Sequence, residues 1–166
     1  LPKGPNTLIR SITEDLDGQI WIGTADNGIY TLDPRTDRLE HFEYDRDNPA
    51  TISRNTICAL TVDRANRVWV GTTGYGLCCY DHDKKRFIRY EKLRLPGGNI
   101  VHIVPDGECL WIATDRGLAA FFPDTGQLRR YTSADGLCSD LFVSNLGLRT
   151  PEGRILLGTS SGLCLF

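Results

Sequence analysis

The stretches Gln19–Thr24, QIWIGT, and Arg67–Thr72, RVWVGT, decide the fold. They return as CLWIAT over Cys109–Thr114 and, weakened, as RILLGT over Arg154–Thr159. With Trp21, Trp69, Trp111 and Leu156 as markers, the spacings are 48, 42 and 45 residues. A period of about 40 to 50 residues is that of a β-propeller blade, a unit that buries its faces only by stacking on its neighbours.

Each repeat keeps one internal order. A β-rich run (TLIRSITE, TICALTV, NIVHIV, LFVSNLGL) leads into a tight turn (DLDG, DRAN, PDGE, TPEG). The Trp-containing run follows, then a break ending in Gly, then IYTLD, LCCYD, LAAFF or LCLF. LEHFEY, RFIRY and QLRRYT complete the first three units. No segment carries a sustained helical period, and short runs joined by hairpin-length breaks read as antiparallel strands. The expected fold is all-β: about four blades of four-stranded antiparallel sheet, belonging to a larger propeller. The units are drawn at 6–54, 55–97, 98–140 and 141–166, the last without its outer strand.

The repeated residues have structural work to do. An apolar strand with no alternation is buried on both faces, as it is when sheet stacks on sheet. Trp fills a large volume between blades. Gly23, Gly71 and Gly158, with Ala113 as the nearest substitute, permit close backbone approach. The Thr is placed to hydrogen-bond at the strand end. Asp15, Asp63 and Asp106 fall at the first hairpin of their units and are expected to cap it.

A net charge of -2 argues against a broad basic surface, so no nucleic-acid contact is expected. No apolar run approaches the roughly 18 to 20 residues of a membrane helix. The chain contains no Met and its first residues lack a signal-type apolar core, so it reads as an excerpt of a longer protein. The six cysteines form no C-x-x-C pair and most lie in apolar stretches, which suits small buried hydrophobes. Cys78 and Cys79, adjacent on a strand, should face opposite ways. Sequence alone leaves any disulfide pairing open, and no metal or cofactor site is expected.

SITEDLDGQIWIGTADNGIYTLDP and ALTVDRANRVWVGTTGYGLCCYD closely resemble the two-component regulator propeller repeat. That repeat runs as an Ile-rich strand, Asp-x-x-Gly-x-Leu-Trp-Ile-Gly-Thr, Gly-Leu and an aromatic-Asp. NPATISRNTI is similar to the family's linker between blades. The final unit, with Leu in place of Trp, resembles its closing repeat. The resemblance implies seven-bladed propellers in the periplasmic part of a hybrid two-component receptor. Beyond them would lie a membrane span and a cytoplasmic histidine kinase, often joined to a response regulator. Many such receptors in gut Bacteroidetes respond to breakdown products of glycans. By this likeness the chain is a non-enzymatic sensor module with an oligosaccharide ligand, the rest of the propeller as partner and a second receptor copy as dimer mate.

No nucleophile elbow, His-Glu-x-x-His or phosphate loop is present, so no catalytic residue is nominated. Ligand-binding candidates come from the loops after the Trp strands and between blades, where a rigid scaffold usually displays them. They are Asp26, Asn27, Arg54, Asn55, Tyr75, Asp115 and Arg116. Tyr75 suits stacking on a sugar, and the polar residues suit its hydroxyl or acidic groups. His102, on a first strand, is added as a channel candidate, pointing away from the flanking Val101 and Ile103. Two other functions fit a propeller: a lyase resembling the streptogramin-inactivating kind, which would require His102 with an acidic partner, and a scaffold that only dimerises.

Overall fold

The computed structural model describes residues 7–166, so the predicted start of the first unit at residue 6 lies outside the described residues. Among the described residues, fifteen strands form four antiparallel sheets in strictly sequential order. Blade 1 holds β1 (Ile9–Glu14), β2 (Ile20–Thr24), β3 (Ile29–Asp33) and β4 (Arg38–Phe42). Blade 2 holds β5 (Ile57–Val62), β6 (Val68–Thr72), β7 (Gly76–Asp81) and β8 (Arg86–Arg89). Blade 3 holds β9 (Ile100–Asp106), β10 (Cys109–Thr114), β11 (Gly117–Phe122) and β12 (Gln127–Tyr131). Blade 4 has β13 (Phe142–Arg149), β14 (Ile155–Thr159) and β15 (Gly162–Leu165), with no fourth strand among the described residues. The fold is an all-β propeller arrangement.

Three apolar clusters lie between successive blades, and strand alternation divides the residues among them. Trp21 and Ile29 meet Ile57, Val68, Val70 and Cys78 between blades 1 and 2. Trp69, Leu77 and Cys79 meet Ile100, Ile103 and Ile112 between blades 2 and 3. Cys78 and Cys79 thus face opposite sides, as expected. Val101, Val104 and Leu118 meet Phe142, Ile155 and Leu157 between blades 3 and 4.

Close approach explains the glycine of the repeat. A Cβ on Gly23 would stand 2.6 Å from Ile57 Cγ2, and one on Gly71 2.5 Å from Ile100 Cγ2. Each glycine therefore receives the leading Ile of the next blade. Gly158 serves a different purpose: a Cβ there would meet Leu146 of its own sheet at 2.7 Å. The Thr clamps the following turn. Thr24, Thr72, Thr114 and Thr159 donate through Oγ1 to the carbonyls of Gly28, Gly76, Gly117 and Gly162 at 2.7–3.0 Å.

The expected turn caps hold at two positions and fail at one. Asp15 Oδ1 accepts the backbone N–H groups of Asp17 and Gln19, and Asp63 Oδ1 those of Ala65 and Arg67. The second carboxylate oxygen of each accepts the indole N–H of Trp21 or Trp69, at 2.7 and 2.8 Å. Asp106 does not cap. The third hairpin is shorter, pairing Asp106 directly with Cys109, and places Pro105 opposite Leu110. The Asp106 carboxylate instead meets Arg149 Nε of blade 4 at 2.7 Å.

Both end faces remain open. On blade 1, Ile12 and Leu39 are exposed; on blade 4, Leu146, Leu148, Leu163 and Leu165 are. Leu148, Leu156 and Leu165 lie side by side across the three strands. The four blades form an arc whose inner ends touch, Asn145 Nδ2 donating to the Arg10 carbonyl at 2.8 Å, and further blades are one arrangement that would bury the exposed faces.

Candidate functional site

The loops after β2, β6 and β10 and the connectors between blades share one side of the arc. Several candidate residues there maintain the loops themselves. Asn27 donates from Nδ2 to Thr7 Oγ1 at 3.2 Å, and its carbonyl is 2.7 Å from His41 Nε2. Asn55 accepts the Tyr44 N–H at 2.6 Å through its side chain and the Gly28 N–H at 2.9 Å through its carbonyl. Asp115 takes both the backbone N–H and the side-chain amide of Asn99, at 3.2 and 2.8 Å. Asp26 and Arg116 are exposed at their turn tips.

Arg54 and Tyr75 are brought together. The Arg54 guanidinium lies 3.6 Å from the Tyr75 ring centre and 4.6 Å from that of Tyr44. A hydrogen bond to Tyr75 raises the pKa of Arg54, partly opposed by desolvation, so its positive charge is secure. Stacking on two rings orients the guanidinium while leaving its edge free to donate. Tyr75 itself is 52% exposed.

These rings border a groove of about 650 Å³ lined by Tyr44, Tyr75, Arg89, Tyr90, Glu91 and Arg94, among others. Arg89 forms part of the wall. It donates to the carbonyls of Asp45, Asn48 and Thr51 and to Thr51 Oγ1, holding the first connector in place. Arg94 on the next connector is exposed. The groove thus offers tyrosine faces, a stacked guanidinium, a second cationic side chain and one carboxylate. Sequence reasoning found Tyr75 and Arg54 but missed Tyr44, Glu91 and Arg94. The signal for Tyr44 and Arg94 was present, because the connectors containing 43–55 and 90–99 flank the same blade.

His102 is elsewhere. An irregularity in the β9–β10 register turns Val101 and His102 to the same side, toward blade 4, which corrects the expected opposition of the two. The imidazole lies directly against Gly147, where a Cβ would collide with it. Burial lowers its pKa, partly offset by a hydrogen bond with the Gly147 backbone. Its Nδ1 is buried without a partner, so the acidic neighbour that a general acid or base would require is missing there.

The two-component regulator propeller family model matches residues 3–26 and 51–74. None of the curated proteins matches the chain. Two structures of the extracellular domain of one B. thetaiotaomicron protein are similar. The first, assigned to a hybrid two component system, is 24% identical with a TM-score of 0.76, over 100% of this chain and 22% of that one. The second, assigned to a one component system, is 26% identical with a TM-score of 0.76, over 98% of this chain and 22% of that one. Virginiamycin B lyase from Staphylococcus aureus is 14% identical with a TM-score of 0.74, over 100% of this chain and 57% of the lyase, a likeness of fold alone. This chain therefore spans about a fifth of the extracellular domains it resembles, and two of its stretches, 3–26 and 51–74, match the two-component regulator propeller repeat.

Proposed function

We propose that the chain is part of the extracytoplasmic, periplasmic sensor of a hybrid two-component receptor and that an oligosaccharide settles in the groove beside Tyr75. The observation that carries this reading is the Tyr44–Arg54–Tyr75 stack on the rim of that groove, in a chain built from regulator-propeller repeats. Tyrosine faces suit the apolar side of a sugar ring, while the guanidinium edge and Arg94 suit hydroxyl or carboxylate groups. The remaining blades would complete a seven-bladed ring, and the signal would pass to a histidine kinase outside this chain.

Calorimetric titration of the whole extracytoplasmic region against neutral and acidic oligosaccharides tests the reading. Saturable binding to at least one member is expected, weakened at least about tenfold by Tyr75→Ala. A folded protein silent across a broad panel would sink the glycan assignment.

A further inference from the structure

Cys138 and Cys164 are far apart in sequence and lie together in space. Cys138 sits in the connector from β12 to β13 and is exposed; Cys164 lies on β15 and is buried in the cluster between blades 3 and 4. Both line one cavity of about 500 Å³, walled by Trp111, Leu118, Tyr131 and Phe166. The connector is fastened beside the end of β14 and the turn into β15 by three contacts. Cys138 Sγ is 3.6 Å from Thr159 Oγ1, Ser139 Oγ is 3.3 Å from Ser160 Oγ, and the Ser160 N–H donates to the Leu141 carbonyl at 3.0 Å. The two thiols thus line the same cavity from adjoining segments, and each shifts the other's pKa.

We propose that Cys138 and Cys164 are a redox pair that closes to a disulfide in an oxidising compartment, fastening the blade 3–blade 4 connector to the outermost strand of blade 4. The division of labour follows from their surroundings. The neighbouring Cys164 thiol, and then the Thr159 hydroxyl, hold Cys138 below the usual thiol range, which favours the attacking thiolate. Burial, and then Cys138 itself, push Cys164 up, which suits the resolving partner. Burial pushes Cys79 up to about 12 and Cys109 up to about 11, and these have no comparable access to an oxidant. Disulfides persist in extracytoplasmic compartments. The proposal rests on the sensor reading only for that location.

The oxidant is a disulfide, for which glutathione disulfide serves as probe. The Cys138 thiolate attacks one of its sulfurs; the S–S bond breaks and one glutathione thiolate leaves. Cys164 then loses its proton as its sulfur attacks Cys138 Sγ, and the second glutathione leaves. Two protein thiols are oxidised to one disulfide, one glutathione disulfide is reduced to two thiols, and the two protons released by the cysteines end on those thiols. The bond would tie down β15, whose outer edge is unpaired in this sheet.

The test is titration of the reduced chain with glutathione redox buffers, followed by thiol counting and non-reducing peptide mapping. The expected result is one intramolecular bond joining Cys138 to Cys164, the other four thiols free, and a midpoint of thermal unfolding raised by several degrees and restored by dithiothreitol. Cys138→Ser and Cys164→Ser should each abolish the bond, and Cys109→Ser should leave it. In the reduced chain, alkylation of Cys138 should be at least about tenfold faster than that of Cys78 or Cys79. Six free thiols at the oxidising end, a stable glutathione adduct on Cys138, or a covalent dimer through Cys138 would each overturn the proposal. Oligosaccharide binding is a separate measurement, so either proposal can fail alone.

Discussion

Blades 1 and 2 and blades 3 and 4 build the same hairpin in different ways. In the first two, a buried carboxylate, Asp15 or Asp63, closes the β-turn and receives the tryptophan N–H six residues later. In blade 3 the same place is taken by Pro105, and in blade 4 by Thr150. The consequence is visible at the marker residue. Trp21 and Trp69 are wholly buried, whereas Trp111, without that carboxylate, keeps partial exposure and leans on Tyr131 and Phe166. Thr150 Oγ1 accepts only the Arg154 N–H, which is sufficient because Leu156 has no indole to satisfy. Asp and Trp therefore act as one unit. The carboxylate permits the ring to be buried, because a buried indole N–H left unbonded is costly.

The largest test of this contrast is removal of the ring. Trp69→Ala should destabilise the chain by about 3 to 5 kcal/mol, because the site between blades 2 and 3 is closed on all sides. Trp111→Ala should cost clearly less, since its surroundings are already open to solvent. Chemical denaturation of both variants reads the difference, and equal losses would show that the carboxylate partner is irrelevant to burial.

Next in size is the carboxylate. Asp63→Ala leaves the Trp69 indole, two backbone N–H groups and Arg67 without their acceptor, and should cost about 3 kcal/mol. Asp106→Ala removes a half-exposed pair with Arg149 and should cost less than about 1 kcal/mol. The pH dependence has a definite sign. Burial alone would raise the Asp63 pKa, but the Trp69 and Arg67 hydrogen bonds outweigh it and the net shift is downward. Its stabilisation is therefore complete above the unfolded value near about 4 and is lost as pH falls through the folded value. Acid unfolding of Asp63→Ala should lack that component.

Much of this was legible in the sequence, for specific reasons. The Trp-x-Gly-Thr period fixed blade number and strand order because stacking demands the same residue at the same place in each sheet. The opposed faces of Cys78 and Cys79 followed from strand alternation. Asp106 misled because the Asp-Gly dipeptide looks alike in hairpins of different length, and only the register reveals the missing residues. The sequence reading named Tyr75 and Arg54; Tyr44 belongs to a connector whose path depends on carbonyls gathered by Arg89, and Glu91 and Arg94 to the connector that follows β8. The proximity of Cys138 and Cys164 had no sequence signal, since it depends on how the connector folds back on β15.

A smaller difference separates Gly71 from Gly158. Gly71→Ala drives a methyl into Ile100 at the centre of a packed interface and should cost about 1 to 3 kcal/mol. Gly158→Ala meets the Leu146 Cβ, which no rotamer change moves, so relief requires β13 to shift; that strand has an exposed face, and the cost should be smaller than at Gly71. If thermal midpoints of the two variants fall equally, the glycine serves the strand itself rather than the neighbouring blade.

The smallest expected effect belongs to His102, at the blade 3–blade 4 interface. Between blades 1 and 2, His82 lies edge-on to Trp21 and Tyr80 with Nε2 unpartnered, whereas His102 is pressed between β9 and Gly147 with Nδ1 unpartnered. Its folded pKa lies below the ordinary value because burial disfavours the imidazolium more than the Gly147 backbone supports it. The unfolded chain then binds more protons than the folded one as pH drops below about 6.5, so stability must fall in that range and level off below the folded pKa. His102→Gln keeps a side chain able to hydrogen-bond but cannot be protonated. Thermal midpoints of the two proteins measured from neutral to mildly acidic pH should diverge, the wild type declining more steeply. Parallel curves would mean that His102 becomes charged without cost, which a side chain enclosed against a neighbouring blade does not allow.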